Sequence, residues 1–192
     1  MTSERWTSAT VYPDMWADPD DDAREALAKP VGEKETYRNY LAHYRITLEM
    51  KCEGLDAEQL ARRSVPPSTM SLLGLVRHLA HVEQSWFRRV LQGQTDTPAL
   101  FGKSTETPDA DFDGAVADPA VVEEAWATWR REVRDADAWL AALPEDELGR
   151  TALHHGNEIP VRDALVHMIE EYARHVGHAD LLRECIDGRV GQ

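Results

Sequence analysis

Two cysteines, Cys52 and Cys185, are all that this chain of 192 residues contains. A pair so far apart makes neither a zinc ribbon nor a redox CxxC motif, and is too small for a disulfide framework, so a reducing, cytoplasmic setting is the simplest expectation. Long apolar runs are missing as well. No stretch approaches the roughly 20 consecutive apolar residues of a membrane span, and the first residues carry charges and prolines in place of an apolar targeting core. No membrane partner is expected. Positive charge is also scarce: 21 Lys and Arg stand against 35 Asp and Glu, a formal charge of −14. Counterion release needs clustered cations, and here they are scattered among carboxylates without a basic stripe, which excludes nucleic acid as an expected partner.

What is present is helical periodicity, and 42% hydrophobic content in one chain of this length fits one domain, residues 1–192, with a single core. Residues 1–32 mix Trp6, Tyr12 and Trp16 with prolines and the acidic run Asp18 to Asp22, and read as an extended arm on that domain. From Glu33, apolar residues at three- and four-residue spacing (Tyr37, Leu41, Tyr44, Leu48, Cys52) predict a first amphipathic helix ending near Gly54. After Pro66 and Pro67, Ser68 offers an N-cap for a second helix through Leu72, Leu75, Leu79, Val82, Trp86 and Val90 to Gly93. Residues 94–118 show no periodicity. Asp118 before Pro119 opens a third helix that stops at Pro144, and Pro160 opens a fourth that runs towards Gly188. No segment shows a convincing period of two, so the expected class is all-α, a four-helix bundle with a long crossover between helices two and three.

Polar residues interrupt the apolar stripes. On the fourth helix successive residues turn by about 100°, which brings Glu171, His175 and His178 into one sector bordering Met168, Tyr172, Ala179 and Leu182. A buried carboxylate needs hydrogen bonds, an ion pair or a metal to compensate its charge. The second helix offers His78 and His81, of which His78 lies nearer the apolar face of Leu75, Leu79, Val82 and Trp86. His78, Glu171 and His175 are therefore the expected ligands of one divalent metal, with zinc the best match and nickel or ferrous iron alternatives. His167 is a rival ligand one turn before Glu171, and His43 on the first helix could face the same cavity. His154 and His155 read as exposed loop residues. Asp109, Asp111 and Asp113 imitate the start of a calcium loop without its glycine and glutamate, and read as solvated loop charge.

Two stretches, KCEGLDAEQLARRSVPPSTMSLLGLVRHLAHVEQSWF at 51–87 and HMIEEYARHVGHADLLRECIDG at 167–188, resemble the DinB-like superfamily of metal-binding four-helix bundles. The resemblance spans nearly the whole chain. It implies an up-down-down-up bundle in which a histidine of the second helix and two residues one turn apart on the fourth hold a metal. Many members use a His-x3-His pair there. Glu171 stands in place of the first histidine, as in the similar mycothiol-dependent maleylpyruvate isomerases.

Three protein ligands leave a tetrahedral metal one open position for water or substrate. The resemblance fills it with a low-molecular-weight thiol such as mycothiol or bacillithiol, making the protein a thiol S-transferase or isomerase acting on a small molecule. A metal-dependent hydrolase and a non-catalytic metal-binding module are the rival readings. His178 and His43 are the candidate catalytic residues, suited to take a proton near pH 7. Resembling proteins also often form homodimers.

Overall fold

In a computed structural model of the chain, Ala17 and residues 22–191 are described. Most of the expected N-terminal arm lies outside the described residues. Its last part holds a single 3-10 turn, Ala23–Ala26, whose first turn is capped by the Asp22 side chain. The elements that follow are α1 (Glu33–Cys52), α2 (Ala57–Ala61), α3 (Leu72–Glu83), α4 (Ala110–Asp113), α5 (Pro119–Ala142), β1 (Thr151–His154), β2 (Asn157–Pro160) and α6 (Val161–Asp187). The four long helices, α1, α3, α5 and α6, make the bundle.

Local chemistry sets their ends. Asp118 accepts from the Ala120 N–H with Pro119 next to it, and Gly188 at φ 81° closes α6 in the left-handed region that glycine adopts freely. The cap of α3 is Ser71, which accepts from Gly74 N–H at 3.1 Å. Ser68, the expected cap, instead accepts from Met70 N–H in the turn that precedes the helix. Beyond Glu83 the helix continues in π geometry over Gln84–Leu91.

Cross-helix pairs give the directions. Arg77–Glu124, Arg88–Glu132 and Gln92–Asp135 advance together along α3 and α5, so these two run parallel. Glu33–Arg162 and Lys51–Asp180 do the same for α1 and α6. His78 and Trp86 on α3 meet Glu171 and His167 in reverse order on α6, so α3 and α6 are antiparallel. The order is up-down-down-up. Because α3 and α5 point the same way, residues 92–118 must return along the length of the bundle, and this return passes over the face of α3 that carries His78.

The core is built from Leu41 and Leu48 of α1, Leu75 and Leu79 of α3, Trp129 and Leu140 of α5, and Met168 and Tyr172 of α6, all buried. One expectation fails: β1 and β2 form an antiparallel hairpin, with Thr151 opposite Pro160 and His154 opposite Asn157. Four residues per strand are too few to show a period of two. Its two-residue loop has His155 at φ 50° and Gly156 at φ 82°, the pair of positive values that a type I′ turn requires.

Candidate metal centre

The bundle brings His78 of α3 to Glu171 and His175 of α6, with one donor atom from each lying within 4.8 Å of the other two. Glu171 Oε2 is 3.4 Å from His175 Nε2 and 3.9 Å from His78 Nε2. Both separations exceed a good hydrogen bond. The shorter is close to the roughly 3.3 Å between neighbouring ligands of a tetrahedral ion with bonds of about 2 Å, and the longer is somewhat wider. The residues thus fit a divalent cation. His175 is buried; His78 and Glu171 are half-buried, their side chains 18% and 20% exposed, leaving one side accessible.

Electrostatics keep the carboxylate charged. The imidazoles of His175 and then His78 beside it hold the Glu171 carboxyl far below the usual range, against the opposing effect of burial. Burial disfavours the charged form of His78, but the hydrogen bond to Asp111 and the neighbouring Glu171 carboxylate outweigh it and raise its pKa.

Asp111 is the correction that matters most. Read as solvated charge, it is fully buried, and its Oδ2 lies 2.8 Å from His78 Nδ1. Lys103 donates to both of its oxygens, at 2.9 and 2.8 Å. Burial opposes ionisation of Asp111, yet the bonds to His78 and Lys103 drive its pKa well below normal. An ionised carboxylate at Nδ1 fixes that nitrogen as the donor and leaves the Nε2 lone pair directed at the centre. Phe112 stacks on the His78 ring, centroids 4.9 Å apart, and Gly74 makes room for it: a Cβ there would sit 3.0 Å from Phe112 Cδ1. Asp109 and Asp113 are exposed, as expected. Sequence reasoning missed Asp111, Lys103 and Phe112; the one available signal was an aspartate directly before an aromatic in a connection without periodicity. Asp111→Asn is expected to weaken metal binding about 10- to 100-fold, the usual effect of an outer partner, as measured by chelator competition.

The other histidines are dispersed. His178 Nδ1 is 3.4 Å from His175 Nδ1, next to the centre but outside the three donors. Burial, with repulsion from His175 and Arg174, lowers its pKa. His81 turns to Ser85, and burial pushes its pKa down to about 4. His167 packs against Trp86 at a tilt, ring centroids 4.6 Å apart, with Nε2 3.4 Å from Glu171 Oε1. His43 is exposed on α1, where its electrostatic neighbours are Arg24, Asp22 and Glu25, so the structure does not bring it to the centre.

An up-down-down-up bundle with a two-histidine, one-carboxylate centre between its second and last long helices defines the class of this protein. The chain belongs to the mycothiol S-transferase family, whose model matches residues 36–188. The expected kinship with DinB-like bundles and thiol transferases is thereby met. Among solved structures, a conserved protein from Enterococcus faecalis superposes with a TM-score of 0.62 at 16% identity, covering 82% of this chain and 99% of that one. At this identity the match speaks for the fold. No curated protein sequence matches the chain. Among the described residues, no helix is long and apolar enough to cross a membrane.

Proposed function

We propose that the protein is a divalent-metal-dependent thiol S-transferase that uses mycothiol or a thiol of that kind against a small electrophile. The observation that carries this reading is the convergence of His78, Glu171 and His175 in a chain of the mycothiol S-transferase family. Zinc suits two neutral imidazoles and one carboxylate, a set that leaves a net positive charge. A free thiol has a pKa of about 8.5 and is mostly protonated at neutral pH. A divalent ion held by the three residues supplies the Lewis acidity that keeps such a thiol ionised.

The chain's own residues do the rest. Asp111 holds His78 by Nδ1, and Lys103 holds Asp111. In this reading His178 takes the thiol proton; what supports the role is its ring beside His175 and a pKa lowered by burial and by His175 and Arg174, which favours the neutral form. The sulfur then forms a bond to an electrophilic carbon, and the leaving group departs with the electron pair of the bond that breaks. His43 has no part in this reading, given its place on α1.

Metal-loaded protein should be incubated with mycothiol, bacillithiol, glutathione or cysteine and a panel of small electrophiles, with conjugates followed by mass spectrometry. Conjugation above the uncatalysed rate is expected with at least one thiol and is expected to disappear in His78→Ala. No acceleration with any thiol, together with hydrolysis of an ester or amide at the same centre, would replace the transferase by a hydrolase.

A further inference from the structure

A cleft of about 300 Å³ lies between the hairpin and the π-helical end of α3, with walls that include Ser85, Arg89, Thr95, Leu153, His154 and His155. We propose that this cleft is a recognition pocket for the carboxylate of a small organic co-substrate. The inference rests on the transferase reading for what the bound molecule is used for, but not for its binding.

Positive charge without a partner is the first observation. In a chain with 35 acidic and 21 basic residues, most cations near this segment are paired: Arg88 with Glu132 and Asp135, Arg130 with Glu49, Arg131 with Glu132. Arg89 meets no carboxylate among the described residues and faces the cleft instead. Two hydroxyls and two imidazoles stand around it. Guanidinium is the side chain whose fork matches a carboxylate with two parallel bonds.

The hairpin is the second. His155 occupies a left-handed position of the turn, where asparagine, aspartate or glycine is the usual choice, and from there it lines the cleft. His154 is packed against its ring at 4.2 Å and against Trp86 at 4.7 Å. The influences on His154 are burial and the neighbouring His155 and His167, all of which oppose its positive form. Among the described residues, no carboxylate lines the cleft. Leu153 and Val90 add apolar wall, which suits an organic acid better than a bare inorganic ion.

The third is position relative to the metal centre. Ser85 shares a hydrogen bond with His81 and lies two turns beyond His78, roughly 10 Å along the helix. Trp86 stands between His154 and His167, and His167 lies beside Glu171. Ring contacts through Trp86 and His167 thus connect the wall of the cleft to the triad, and a co-substrate anchored at Arg89 would have to reach past them to the metal centre.

The test uses full-length, chelator-treated protein titrated with phenylacetate and with its neutral analogue phenylacetamide, followed by amide-nitrogen correlation spectra. Phenylacetate is expected to shift Ser85, Arg89 and His155, while phenylacetamide leaves them in place. Arg89→Gln should weaken phenylacetate binding by about tenfold or more, the loss of a charge-assisted pair. His155→Asn, which suits the turn, should weaken it less. Equal binding of the amide, or no shift at these residues at millimolar phenylacetate, would overturn the pocket. So would shifts that appear only with added zinc and centre on His78 and His175, an outcome that leaves the metal reading intact. Carboxylate binding at Arg89 in a protein that takes up no metal would do the reverse, keeping the pocket and removing the transferase.

Discussion

Purified without chelators, the protein is expected to carry one divalent ion per chain, and His78→Ala and His175→Ala are each expected to lose it. Removing a direct donor leaves two ligands, too few to hold the ion against water, so affinity should fall by more than the roughly 100-fold that marks the loss of an outer partner. Glu171→Ala should do the same, since it removes the only anion among the three donors. His178→Ala is expected to be milder, because its ring touches His175 and not the centre. Elemental analysis gives the stoichiometry and chelator competition the affinity. A loss on His167→Ala as large as that on His175→Ala would show that the donor set has been drawn one turn out of place. The pH dependence follows from His78. Its proton is held more tightly than that of a free imidazole, and metal must displace it. Apparent affinity should therefore begin to fall, as pH is lowered, at a value above the ordinary 6.5 or so of histidine.

The helices were legible because each buries one apolar stripe with a period near 3.6, and the centre because Glu171 and His175 break such a stripe where His78 breaks another. Those three residues sit on regular elements, where spacing in sequence converts directly into position in space. Asp111 does not. It belongs to the connection that returns along the bundle between two parallel helices, and nothing in the period of a loop says which of three aspartates turns inward. The parallel pairing of α3 and α5 is likewise invisible to periodicity, although the length of the connection required some such path. The hairpin was lost for a different reason: its strands are four residues each, and its turn has histidine in place of the asparagine or aspartate that would have announced it. The same histidine is an exposed loop residue, as its sequence context suggests, and it also lines the cleft beside Arg89.

Arg45→Met is expected to destabilise the folded protein by about 3 to 5 kcal/mol, far more than any surface substitution. Glu83 is fully buried, and Arg45 offers it Nε and Nη2, each at 2.8 Å. Tyr172 donates to the same carboxylate at 2.6 Å and itself accepts from Trp129 Nε1 at 2.9 Å, so one carboxylate ties together all four long helices. Removing the guanidinium leaves the carboxylate buried with only a phenol to answer its charge. In a domain of this size the melting temperature should drop by roughly 6 to 20 °C, taking about 2 to 4 °C per kcal/mol. Burial already raises the Glu83 carboxyl above its ordinary range despite Arg45. Without Arg45 it rises further. A carboxyl whose folded-state pKa exceeds its unfolded value of about 4.3 stabilises the fold only when protonated, so that stability is lost as pH climbs through the folded value. The deficit of Arg45→Met should accordingly be largest at neutral pH and shrink on acidification. Adding Glu83→Gln should restore more than half of it at neutral pH, because the amide oxygen still accepts from Tyr172 and no charge is left to solvate. Denaturant melts of the single and double variants across pH decide the matter. A loss below about 1 kcal/mol in Arg45→Met, within the range of exposed ion pairs, would mean that water reaches Glu83 and that the buried pair does not hold the four helices together.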